Sequence, residues 1–238
     1  MKVNADFSLR AAVHAAGLPW VPSPMAGVDR RMLDRIGDEV ARATSIVRYA
    51  PGSRFSAHTH GGGEEFLVLE GVFQDEHGDF PAGCYIRNPP TSSHTPGSLP
   101  GCIIFVKLWQ FDAADRTHVR IDTRKMPYLS DPRRAGVQVM PLFDDGHESV
   151  RLERWAPNAV VDLDAAGGLE LLVLEGGFSD GTESFEPLSW LRLPPGAKAR
   201  ASADASGCRV WVKGGHLASI TAPSGTARSS SDRSPVVP

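Results

Sequence analysis

Two stretches of this 238-residue chain are near copies of one another, and the repetition dictates how the chain divides. Residues 68–76 read VLEGVFQDE and residues 173–180 read VLEGGFSD, 105 positions further on. At that offset Phe80 meets Phe185, and YIRNPP (85–90) meets WLRLPP (190–195). At an offset of 106, VRYAPG (47–52) meets ERWAPN (153–158), Gly101-Cys102 meets Gly207-Cys208, and Val106-Lys107 meets Val212-Lys213. A one-residue deletion in 58–64 and a one-residue insertion after Pro195 account for the drift. Matching over more than about 60 residues predicts two homologous domains in tandem, 1–118 and 119–217.

Each copy reads as β structure. SIVRY, EFLVLEGVF, CYIRN and CIIFVKLWQF in the first, and LELLVLEGGF, SWLRL and CRVWVK in the second, are short runs rich in β-branched and aromatic residues. With 24 Gly and 19 Pro, the chain has many turn formers between them. Short strands at this spacing predict a sandwich or small barrel. FSLRAAVHAAGL, near the start, is the best helix candidate. Residues 218–238 lack apolar periodicity and predict a flexible tail.

A net charge of -3 excludes the basic footprint of most nucleic-acid binders. Cys84, Cys102 and Cys208 are odd in number and widely spaced, which argues against a disulfide framework and for a reducing compartment. The first twenty residues lack the apolar core of a signal peptide, and no run reaches the length of a membrane span. The expectation is a soluble cytoplasmic protein with no nucleic-acid or membrane partner.

The chemistry concentrates in PGSRFSAHTHGGGEEFLVLEG, residues 51–71. His58 and His60 stand two apart, which in a strand puts both imidazoles on one face, within reach of one ion. Glu64 follows a Gly61-Gly62-Gly63 turn. Glu65 competes with it, because strand parity cannot be counted through such a turn. His94 ends GCYIRNPPTSSH, just after a Pro-Pro turn. Imidazoles and a carboxylate suit Zn, Fe, Mn, Ni or Cu. His14, His77, His118, His147 and His216 read as surface or satisfied core residues. No phosphate-cradling glycine loop and no Gly-x-Ser-x-Gly elbow is present.

Gly52-x5-His58-x-His60-x3-Glu64-x6-Gly71 resembles the first motif of the cupin superfamily. Gly83-x5-Pro89-x-Thr91-x2-His94 resembles the second, with Thr91 in place of the usual Gly and Ser98 in place of the final Asn. Residues 40–112 are similar more narrowly to the cupin domain of the ChrR anti-sigma factors, and also to acetylacetone-dioxygenase-like cupins. The resemblance implies an all-β chain of two tandem double-stranded β-helix (jelly-roll) barrels. It implies one divalent metal ion per chain (Zn, Fe, Mn or Ni), held by His58, His60, Glu64 and His94. Arg48, Phe66, Tyr85 and Arg87 are candidates to line the metal pocket. Arg48 and Arg87 persist in the second copy as Arg154 and Arg192, which favours a structural role for both.

The second copy lacks histidine at the matching places, VDLDAAGG (161–168) and PPGAKA (194–199), and Glu170 remains alone. A lone carboxylate makes a poor transition-metal site, so this domain reads as a degenerate cupin. The first 45 residues hold one His and no Cys, so the zinc domain with which ChrR proteins grip a sigma factor has no counterpart there, and sigma-factor binding is in doubt. Two functions follow from the resemblance. One is a regulatory cupin that senses a small molecule or oxidant in a stress response. The other is a mononuclear non-heme dioxygenase for a diketone-like or phenolic substrate. A small-molecule partner and a homodimer are expected in either case.

Overall fold

A computed structural model describes residues 1–223 of the chain. It contains two antiparallel barrels, one per repeat. In the front barrel Val28–Gly37, Ala41–Tyr49, Cys102–Leu108, Glu64–Asp75 and Cys84–Asn88 lie side by side in that order. In the rear barrel the order is Val137–Asp144, Ser149–Trp155, Ala197–Gly214, Leu169–Ser179 and Ser189–Leu193. No helix among the described residues is long and apolar enough to cross a membrane. The tail read at 218–238 lies, from residue 224 onward, outside the described residues.

Strand alternation sorts the side chains into three cores. Phe66, Val68, Ile86, Ile104 and Val106 fill the front barrel. Leu171, Val173, Leu191, Val210 and Val212 fill the rear one. The outward residues of both sheets, among them Ile46, Leu67, Phe105, Leu152, Leu172 and Trp211, form a third cluster where the barrels pack together. There Phe105 meets Trp211 edge-on, with ring centroids 4.9 Å apart.

The VLEG repeat has a structural reason. Gly71 and Gly176 sit at φ 68° and 64°, each just past a bulge in its strand. A Cβ on either would lie 2.0 Å from a carbonyl oxygen, that of Gly101 or Gly207. Only glycine lets the long strand bend there and keep its neighbour.

The predicted N-terminal helix does not form. Ala11–His14 is a strand, followed by one 3-10 turn at Ala15–Gly17. Its alanines favour a helix locally, but so short a segment cannot offset the cost of nucleation. Instead it pairs with the edge strand Ser189–Leu193 of the rear barrel, Ala11 opposite Arg192. The equivalent strand of the second repeat, Val119–Asp122, pairs with Cys84–Asn88 of the front barrel, Val119 opposite Arg87. Each repeat thus lends its first strand to the other's sheet.

Candidate metal centre

His58 and His94 face each other across a two-stranded ladder, His58–Thr59 against Ser93–His94. His60 is fixed by two backbone bonds, its own N–H to Ser92 O (2.9 Å) and its carbonyl from Thr91 N–H (2.9 Å). Thr91 makes that turn at φ 74°, the left-handed conformation that explains why glycine is the usual residue of the motif. The three imidazoles stand at centroid separations of 4.8 to 5.0 Å. One ring nitrogen from each lies within 4.8 Å of the other two.

The far side of two rings sets which nitrogen faces the centre. His58 Nδ1 lies 3.2 Å from Ser56 O, and His94 Nδ1 lies 3.2 Å from Asp75 Oδ2. Both acceptors call for a proton on Nδ1 and leave Nε2 as a free lone pair. Among the described residues, His60 Nε2 and His94 Nε2 are buried with no hydrogen-bond partner. Glu64 stands beside two of them, its Oε2 3.4 Å from His60 Nε2 and 3.5 Å from His94 Nε2, while the group of donors all within 4.8 Å of one another holds the three histidines without Glu64. Donors each about 2.1 Å from one ion at a tetrahedral angle stand about 3.4 Å apart, so these spacings suit a shared ion. Asn88 Nδ2 steadies the same oxygen at 3.2 Å. His58 alone is exposed, so the centre opens to solvent on its side.

The electrostatics divide the ligands. Burial lowers the pKa of His60. Burial also opposes the charge of His94, but the hydrogen bond to Asp75 overrides it and raises the pKa. Asp75, in the acidic DEHGD turn (75–79), is a partner that the metal motifs do not include. The ordinary signal for it, a carboxylate behind a ligating imidazole, is visible only once the strands are folded.

Strand parity separates Glu64 from Glu65. Glu64 points inward, whereas Glu65 points at the rear barrel, accepting from Lys213 Nζ (2.5 Å) and Tyr85 Oη (2.8 Å). Of the four pocket candidates, Phe66 alone faces the barrel interior, against Phe73, which lies 5.7 Å from the His94 ring. Arg48 is on the outside, bonded to Asp29 and stacked 4.6 Å over Trp20. Its counterpart Arg154 stacks likewise on Tyr128, at 4.1 Å. Tyr85 and Arg87 face the interface between barrels, where Arg87 bonds Asp115 and Glu148, both at 2.6 Å. An inward direction for these three fails because they share parity with the outward residues of their strands.

The rear barrel has replaced the site by hydrocarbon. Leu163 faces Ala199 as His58 faces His94, Ala165 stands where His60 does, and Leu169 where Glu64 does. All pack in the rear core. Glu170, read as the surviving ligand, is instead the counterpart of Glu65, since each lies opposite its own Arg and Lys. It accepts from Lys107 Nζ (2.5 Å) and from His216 Nε2 (2.9 Å). Lys107 and Lys213 are each wholly buried and reach across to the other barrel's glutamate. The sequence signal for them was one lysine at the same place in two apolar strands.

Comparison with known proteins agrees with this architecture. No curated protein matches the chain in sequence. Among solved structures, a putative dioxygenase from Nostoc punctiforme is similar with a TM-score of 0.74 and 15% identity, covering 93% of this chain and 88% of that one. The protein Ylba from E. coli follows with a TM-score of 0.66 and 12% identity, over 87% of this chain and 91% of that one. The bacterial pirin YhhW in complex with nickel(II), from Escherichia coli, has a TM-score of 0.59 and 15% identity, over 87% and 99%. At these identities the likeness is one of fold. The ChrR Cupin-like domain matches in sequence twice, over residues 8–112 and 116–218. The chain therefore belongs to the ChrR cupin-like family, as a bicupin whose front barrel carries, among the described residues, the cluster of His58, His60 and His94.

Proposed function

We propose that the front barrel holds one divalent ion through His58, His60, Glu64 and His94 and takes up a small oxygen-bearing molecule from its open side. The observation that carries this is the pair of buried, unpartnered Nε2 atoms beside an exposed third imidazole. A buried polar atom without a partner is costly, and a metal ion is the partner these donors suit. When bound, the ion supplies a Lewis acid that draws electron density from a ligand oxygen. The chain's own part is to fix the donors: Asp75 and Ser56 hold the tautomers of His94 and His58, and Asn88 orients Glu64.

The role we favour is sensing. The Gly61–Gly63 turn packs on Trp109 and Phe111, where a Cβ on Gly62 or Gly63 would come within 2.3 to 2.4 Å of a ring. Phe111 lies 4.1 Å from the Arg87 guanidinium, which bonds Glu148 of the rear barrel. Movement of the metal loop thus has a direct packing route to the interface. The test is elemental analysis, then titration with chelating ligands. We expect one ion per chain, lost in His60→Ala, and a ligand-induced change in hydrogen exchange at the interface without turnover. Retention of the ion in His60→Ala defeats the metal site. A silent interface defeats sensing.

A dioxygenase is the second reading, favoured by the open side at His58 and by the likeness of fold to the putative dioxygenase from Nostoc punctiforme. Oxygen consumption by Fe(II)-loaded protein across a panel of diketones and phenols would establish it, and a flat trace would dismiss it.

A further inference from the structure

We propose that the cleft between the two barrels is a second ligand site, distinct from the metal centre, for a small carboxylic acid bearing a hydroxyl group and an aromatic or apolar tail. The cleft has a volume of 520 Å³, inside the range of about 300–1,000 Å³ usual for ligand sites, and its lining includes Arg42, Trp109, Gln110, Phe111 and His216.

Arg42 is 2% exposed. Its guanidinium stacks 4.5 Å over Phe7, its Nη1 is buried with no hydrogen-bond partner among the described residues, and the acids that act on it, Asp34, Glu170 and Glu148, do so through space without an ion-pair contact. Its counterpart in the other repeat, by position two residues before Thr44 and Val150, is Glu148, which is satisfied by Arg87 and Lys213. The symmetry-related place is therefore filled on one side and open on the other. A buried guanidinium nitrogen without an acceptor is costly, and a carboxylate matches the guanidinium fork in two bonds.

Two acceptors face the same cleft. Gln110 Nε2 donates to Ala43 O (2.9 Å) and Thr44 Oγ1 (3.1 Å), which leaves Oε1 buried and without a donor. His216 Nε2 donates to Glu170, which leaves Nδ1 as a buried bare acceptor. One fork of donors and two acceptors complement a carboxylate with a nearby hydroxyl, and Trp109 and Phe111 supply a wall for the tail. None of these residues is a metal ligand, so the site can be tested with the metal centre disabled.

The probe is 3-phenyllactate, compared by calorimetry with 3-phenylpropionate, which lacks the hydroxyl, and phenylalanine, which carries an ammonium group instead. Phenyllactate is expected to bind most tightly. Arg42→Gln and Arg42→Lys should each weaken it about tenfold or more, the lysine because it keeps the charge and loses the fork. The double variant His60→Ala/His94→Ala should still bind it, with a change in affinity well below that of the Arg42 variants. Hydrogen exchange on the unmutated protein is a check that needs no variant: phenyllactate should slow exchange around residues 42–44, 110–111 and 215–217. Equal binding of all three acids, no binding, unchanged affinity in both Arg42 variants, or protection confined to 58–64 and 92–94 would each overturn the proposal.

Discussion

His94 is held from both ends: Asp75 grips Nδ1, and Nε2 faces His58, His60 and Glu64. Asp75→Asn keeps the size of the side chain and removes the charge that orients and strengthens this ligand. Metal affinity should fall about 10- to 100-fold with folding intact, read by competition with a chelator of known affinity. Unchanged affinity would remove Asp75 from the site. His216 makes a different prediction, one about stability. Burial pushes its pKa from 6.5 down to about 4, against the pull of Glu170, so the folded protein keeps it neutral. The unfolded chain takes up a proton below about 6.5 and the folded one does not until about 4, so stability is lost as pH falls through that window. At about 1.4 kcal/mol per unit, the loss approaches about 3 kcal/mol. Urea unfolding across this range should show the slope, and His216→Gln, which can still donate to Glu170, should flatten it. A variant with the same slope as the parent would show that His216 is not the group responsible.

Among the elements, two glycines of the same motif should behave oppositely. Gly52 has φ 75° and open space around its missing Cβ, whereas Gly71 has φ 68° and a carbonyl oxygen 2.0 Å from that position. Gly52→Ala should cost only about 1–2 kcal/mol, for the left-handed backbone. Gly71→Ala, and Gly176→Ala in the rear barrel, should cost about 3 kcal/mol or more, because the strand must also part from its neighbour. Equal losses at Gly52 and Gly71 in denaturant unfolding would refute the bulge as the reason for the repeated VLEG. The pairing of His58 with His60 was legible because it is a local property of a strand, whereas His94, which meets them only across a ladder between distant segments, entered through the family resemblance. The course of Ala11–His14 was not legible. Its alanines carry the local preference of a helix, and the partner that decides otherwise, Ser189–Leu193, lies some 175 residues away. The directions of Tyr85 and Arg87 were equally hidden, since parity is set by pairing with Glu64–Asp75 and not by the strand's own sequence.

On the scale of the whole molecule, the two barrels behave as a dimer joined into one chain. The repeat announced both halves, but it did not disclose that the faces they share would carry buried ions. Glu65 is buried, yet Lys213 and Arg87 hold its carboxyl below the usual range, and Lys107 with His216 does the same for Glu170. Such pairs add little net stability over well-packed hydrocarbon, but breaking one strands a charge. Lys213→Met leaves Glu65 facing the rear barrel with Arg87 3.8 Å away as its remaining cation, and should cost about 3–5 kcal/mol. Lys213→Met with Glu65→Leu removes both charges and should recover most of that loss, since Glu148 keeps its bond to Arg87. Because each sheet includes a strand from the other repeat, unfolding should remain a single transition in all three proteins. Trp20 and Trp109 lie in the front repeat and Trp155, Trp190 and Trp211 in the rear, so fluorescence compared with circular dichroism reads both halves. Two separated transitions, or a double variant as unstable as Lys213→Met alone, would show that the crossed lysine–glutamate pairs do not bind the barrels into one folding unit.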